Sequence, residues 1–161
     1  MIIKFLNKET GLSVFVSDMI VNCIEKYGRE HYPKEFGGIF SGCVNNKEII
    51  IKDITVPEKF ENSKVFFRRH AEDLNKYLEK IYKESDGKLV YLGEWHTHPN
   101  GNPEYSSTDE YTMVGIADNR DIKTLNPILF IGGISKQNFE YEFYIVEKNK
   151  LFKLKKQHKN E

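Results

Sequence analysis

The segment AEDLNKYLEKIYKESDG, residues 71 to 87, constrains the fold more than any other. It places Leu74, Tyr77, Leu78, Ile81 and Tyr82 at helical spacing on one face and ends in Gly87, a helix-stopping residue. On one side stands the β-branched run EIIIKDITV and on the other KLVYLGEW, both of strand length. A helix with one apolar stripe must lay that stripe on something, and strands on both sides of it in sequence supply a sheet. The rest of the chain repeats the alternation. Ile2 to Leu6 and Leu12 to Val16 read as a hairpin joined by NKETG. A helix follows, capped by Ser17, carrying Ile20, Cys23, Ile24 and Tyr27, and ending at Gly28 in a left-handed conformation. EFGGIFSGCV pairs through the NN turn at 45 and 46 with EIIIKDITV, and PEKFENS reads as a loop. SSTDEYTMVGIADN starts as a helix should, and PILFIGGI and NFEYEFYIVE close the order as strands. The fold class is therefore α/β or α+β, one domain with a mixed sheet flanked by helices. Its expected span is 1–150, with a basic, solvated tail at 151–161.

A chain of 161 residues buries roughly 70% of its extended surface as one domain, so it needs no disulfide scaffold. Lys plus Arg and Asp plus Glu number 24 each, which leaves no net field to attract nucleic acid. Cys23 and Cys43 lie outside any CxxC spacing and read as reduced thiols, Cys23 as a packed small hydrophobe, which favours the cytoplasm. The first residues lack the unbroken apolar stretch of a signal peptide or a membrane span.

Chemistry concentrates in EWHTHPNGNPEYSSTD, residues 94 to 109. KLVYLGEW runs as a strand into HTHP, and strand residues two apart share a face, so His96 and His98 project together while Thr97 and Trp95 point away. Two imidazoles make a natural metal pair, and a catalytic zinc keeps three protein ligands and an open position. Asp109, at the start of the next helix, is the candidate third ligand. Taken alone, Ser106 and Asp109 would be no more than a helix cap, and two histidines on a strand no more than a polar patch. The chain has no HExxH, no HxE with PCxxC and no GxSxG, so zincin, zinc deaminase and serine hydrolase chemistry find no footing. His31, His70 and His158 match no motif and read as surface or loop residues. Arg68 and Arg69 read as a solvated strand end, with the lining of a substrate groove as the second option.

HTHP, then six residues, then SSTD, with an upstream Glu in EFGGIFSG, resembles the signature of the JAMM (Jab/MPN/Mov34) zinc metalloproteases. The resemblance extends to the element order and implies an MPN/JAB-type, cytidine-deaminase-like domain. It implies that His96, His98 and Asp109 hold Zn2+, that Glu35 is the proton shuttle and that Ser106 hydrogen-bonds the oxyanion. Compact bacterial members with a GEWHTHP strand resemble the deconjugating peptidase of CBASS antiphage operons, in which an E1/E2-like enzyme attaches a nucleotidyltransferase to targets. The implied activity is an isopeptidase that cuts after the extended C-terminal tail of a ubiquitin-like modifier or conjugated protein. A peptidase trimming a sulfur-carrier protein and a metal-free MPN scaffold are the alternatives, the scaffold being disfavoured because every ligand is kept.

Overall fold

The computed structural model describes residues 1–158. The chain order is β1 (Ile2–Leu6), β2 (Ser13–Ser17), α1 (Asp18–His31), β3 (Gly37–Asn45), β4 (Glu48–Thr55), β5 (Phe60–Asn62), β6 (Phe67–Arg69), α2 (Ala71–Glu84), β7 (Val90–Pro99), α3 (Ser107–Asp118), β8 (Ile128–Ile134), β9 (Phe139–Glu147), β10 (Lys150–Lys153) and β11 (Lys155–Lys156). Nine strands form one sheet in the order β10-β9-β8-β7-β3-β4-β2-β1-β11, and β5 and β6 pair apart from it. The sheet is mixed: β2 with β4 and β7 with β8 run parallel, and the other neighbours run antiparallel. Among the described residues no helix is long and apolar enough to cross a membrane.

The run PILFIGGI explains the layering. Every residue of β8 is buried, as a central strand covered on both faces requires. Ile128 and Phe130 join the core that includes Val21 and Ile24 of α1, whereas Leu129 and Ile131 pack with Met113 of α3. The two helices thus cover opposite faces. The sheet also curls until β1 meets β9: the Phe5 and Phe143 rings pack at a tilt with centroids 4.7 Å apart, and Asn7 and Thr10 both donate to the Glu147 carboxylate.

Four expectations need correction. Helix α1 runs on to His31, because Gly28 is a packing glycine and not a stop. It is buried, and a Cβ on it would lie 2.8 Å from Cγ2 of Thr97. Cys23, read as packed, is exposed on that helix. The segment PEKFENS contains β5, which pairs with β6, so it is only partly a loop. The tail is sheet as far as Lys156: β10 continues from β9, β11 pairs with β1, and Leu151 and Leu154 are buried. A boundary at 150 therefore falls inside the sheet, with Leu151 in the core beside α3 and Leu154 in the core beside α1, while Lys150 and Lys153 stay exposed; residues 159–161 of the expected tail lie outside the described residues.

Candidate metal centre

Strand β7 supplies the two histidines from one face, and the face alternates as expected: Trp95 and Thr97 are 1% and 0% exposed on the α1 side, while His96 and His98 look toward α3. Their Nε2 atoms stand 3.2 Å apart. Helix α3 brings Asp109 to them, with Oδ1 at 3.3 Å from His96 Nε2 and Oδ2 at 3.6 Å from His98 Nε2. Zinc bonds of about 2.0–2.1 Å in a tetrahedron require ligand atoms about 3.3–3.4 Å apart. Each imidazole nitrogen stands near that spacing from the other and from one oxygen of the Asp109 carboxylate, and two neutral imidazoles with one carboxylate are a donor set suited to zinc.

Two of the three candidate ligands are oriented by a second contact. His98 Nδ1 donates to the Asn102 carbonyl at 3.1 Å, which leaves the Nε2 lone pair facing the centre. Asp109 belongs to a capping box: its backbone N–H donates to Ser106 Oγ at 3.1 Å, and the Ser106 N–H donates to Asp109 Oδ2 at 2.8 Å. The expected helix cap and the expected third ligand are therefore the same carboxylate. Because Ser106 Oγ accepts from the helix, its hydroxyl proton stays free to donate elsewhere. The intervening loop is pinned from below, where the Tyr144 hydroxyl donates to the Pro103 carbonyl at 2.7 Å.

Glu35 lines the same cleft, just before β3. Gly37 sits in register with His96, and a Cβ on Gly37 would meet the Trp95 carbonyl at 2.4 Å, so the glycine pair permits the close approach of β3 to β7. Thr97 ties this segment down from the far side of β7: its Oγ1 accepts from the Phe36 N–H at 3.0 Å, and its own N–H donates to the Phe36 carbonyl at 2.9 Å. On the other flank the Glu35 N–H donates to the Ser63 carbonyl at 2.7 Å, and Asn62 Nδ2 donates to the Glu35 carbonyl at 2.9 Å.

Burial pushes the Glu35 carboxyl up, and the neighbouring imidazoles only partly oppose it. Burial also works to raise Asp109, but hydrogen bonds from His96 and His98 outweigh it and hold that carboxyl far below the usual range. Burial would lower His98; its bonds to Asp109 and to the Asn102 carbonyl turn the net shift upward. Two carboxylates a few residues apart in space are thus pushed in opposite directions. This is the pattern expected where one carboxylate binds a cation and the other exchanges protons.

The cleft above the centre has a volume of about 760 Å³. One wall is α3, with Thr108 and Thr112; the other is the β5–β6 hairpin, with Lys64 through Arg69. Arg68 and Arg69 therefore line the cleft, the option ranked second from sequence. Arg69 pairs with Glu94 and is not a solvated end. His70 caps α2 without a side-chain bond, His31 stacks on Phe36 at 3.7 Å, and His158 is exposed. Sequence reading passed over Glu94, the bond of Thr97 to Phe36 and the pairing of Arg69. The signal for Glu94 was its position: Glu94, His96 and His98 form one polar stripe on a strand face.

Three groups that could hold a metal ion, His96, His98 and Asp109, thus meet between the central strand β7 and helix α3, with the Glu35 carboxyl lining the same cleft, and such a donor set beside a second carboxyl suits metal-dependent hydrolysis. The family of prokaryotic homologs of the JAB domain matches residues 21–146, and the chain belongs to it. A protein of Enterobacter hormaechei named CD-NTase/cGAS isopeptidase is 34% identical over 102 residues, which are 62% of this chain and 55% of that protein. A protein of the same name from Escherichia coli is 29% identical over 60% of this chain and 63% of its own length. The chain thus spans less than two thirds of these relatives. A protein of Sinorhizobium fredii named a probable metalloprotease is 24% identical over 73% of this chain and 74% of its own. The solution structure of a protein from Desulfitobacterium hafniense has the same fold, with a TM-score of 0.67 at 14% identity over 86% of this chain and 88% of that one.

Proposed function

We propose that the chain is a zinc-dependent isopeptidase of the JAMM type, which releases a protein from the amine to which its extended C-terminal tail is joined. The observation that carries this reading is the convergence of His96, His98 and Asp109, with the two Nε2 atoms 3.2 Å apart and each within 3.3 to 3.6 Å of one Asp109 carboxylate oxygen, at the floor of a cleft that Glu35 also lines. A zinc ion held there would supply a Lewis acid for water and for the scissile carbonyl. Glu35 takes a proton from the attacking water and delivers it to the leaving nitrogen as the C–N bond breaks, a task suited to a carboxyl that burial has made more basic. Ser106 donates its free hydroxyl proton to the oxyanion. The hairpin wall and the α3 wall leave a channel in which an extended tail can lie.

The relatives' name, CD-NTase/cGAS isopeptidase, supports a substrate in which a CD-NTase is held by an isopeptide bond, and the resemblance adds an E1/E2-like enzyme as the counterpart that forms it. The free thiols of Cys23 and Cys43 suit a reducing cytoplasm. The test offers the protein a modifier fused through its tail to a reporter, a lysine-linked conjugate and unstructured casein, each with and without chelator. Chelator-sensitive release from the two tail-linked substrates, with casein spared, is the expected result. Rapid casein degradation contradicts the selectivity, and a zinc-loaded protein that cleaves none of them contradicts the activity.

A further inference from the structure

The β5–β6 hairpin is a separate two-stranded sheet, yet it forms a whole wall of the cleft. Something must set its distance from β7. Arg69, at the end of β6, directs Nε and Nη2 onto a single oxygen of Glu94, at 3.0 and 2.7 Å. The two side chains are 26% and 16% exposed, so the pair is largely out of water. Alternation along β7 puts Glu94 on the histidine face, and a bulge just before it, where Phe40 faces Gly93 and Ser41 faces Tyr91, leaves Leu92 as the extra residue and lets Tyr91 share the side of Glu94. The buried Tyr91 hydroxyl lies against the pair.

A buried ion pair is a poor source of stability, because desolvation offsets most of the attraction and replacing it by an apolar pair of similar volume often leaves the fold as stable. What a guanidinium fork on a carboxylate adds is a fixed direction and distance. We infer that Arg69 and Glu94 form a positioning clamp, which sets the stand-off of the β5–β6 hairpin from β7 and thereby the width of the channel for the substrate tail. The inference rests on the reading of the cleft as a site for an extended chain. Both clamped elements touch the chemistry, since Glu94 is two residues from His96 and the hairpin holds the Glu35 backbone through Asn62 and Ser63. Glu35 keeps its second anchor through Phe36 and Thr97, so loosening the hairpin falls on substrate binding more than on the chemical step.

The test compares Arg69→Met, Glu94→Leu and the double variant in the zinc-loaded full chain. Each single variant leaves a buried charge without its partner and melts lower; the double variant recovers most of the melting temperature. Its zinc content and kcat stay within about twofold of wild type while KM for the tail-linked conjugate rises about tenfold, the signature of lost binding without lost transition-state contacts. Without substrate, the Glu35 amide exchanges hydrogen faster in the double variant, because its acceptor Ser63 is on the hairpin. Arg69→Lys, which keeps the charge and loses the fork, shows an intermediate KM. A double variant with wild-type KM and wild-type protection of the Glu35 amide overturns the clamp. If wild type cleaves no tail-linked conjugate, the proposed function has failed, and the amide exchange alone decides the clamp.

Discussion

Thr97 lies between the two histidines, yet its side chain works on the opposite face of the sheet, which makes Thr97→Val a clean perturbation. Thr97 is fully buried, its Oγ1 accepts the N–H of Phe36, and its Cγ2 fills the space beside Gly28. Valine keeps both branches in place and removes only the hydroxyl, which accepts from the Phe36 N–H and donates at 3.4 Å to the Phe36 carbonyl, an acceptor that keeps its bond from the Thr97 N–H. Phe36 is itself buried, so its N–H gains no water in exchange, and a buried donor left unpaired costs about 1–3 kcal/mol. For a domain of this size that is a fall of roughly 2–4 °C in Tm per kcal/mol. The loss reaches function because Phe36 adjoins Glu35, so the proposed proton shuttle loses one of its anchors. Thr97→Ser is the control: it keeps the acceptor, gives up one packed methyl at a cost of about 1 kcal/mol, and retains turnover. Urea unfolding followed by fluorescence measures both variants, with a shifted midpoint and an unchanged slope as the expected result for valine. A valine variant as stable and as active as wild type would refute the idea that the Thr97–Phe36 bond holds the Glu35 segment in place.

Glu35→Gln should retain zinc and substrate binding and lose turnover, since an amide cannot accept the proton; steady-state kinetics beside elemental analysis checks this. In the metal-free protein the same variant should melt at or above wild type at pH 7. The folded-state pKa of Glu35 is raised, so ionisation above the unfolded value destabilises the fold, and the difference should vanish below about pH 4, where both states hold the proton. Ser106→Ala should cost about 1 kcal/mol by calorimetry through the lost cap, and reduce kcat by about a hundredfold through the lost oxyanion donor. A loss of stability with full activity would leave Ser106 as a cap only.

The metal centre was legible because it depends on local rules. Two-residue spacing put His96 and His98 on one strand face, and a Ser followed three residues later by an acid marked the helix start that carries Asp109. The element order was legible for the same reason. What the sequence hid are the long-range choices. Gly28 satisfies the rule for a helix stop, and only the nearness of Thr97 shows that it is a contact between helix and sheet. The lysines of the tail read as solvent-seeking, and they are, but the leucines between them are buried, and the segment runs on to pair with β1 at the other end of the chain. Arg69 and Glu94 are 25 residues apart, and nothing in either segment announces the pairing.

The central claim, that His96, His98 and Asp109 are the ligands of a catalytic zinc, is tested most directly by elemental analysis of purified wild type and His98→Ala. The prediction is about one zinc per chain in wild type and little or none in the variant, because two remaining ligands cannot hold the ion tightly. Equal zinc in both proteins would remove His98 from the site and contradict the account.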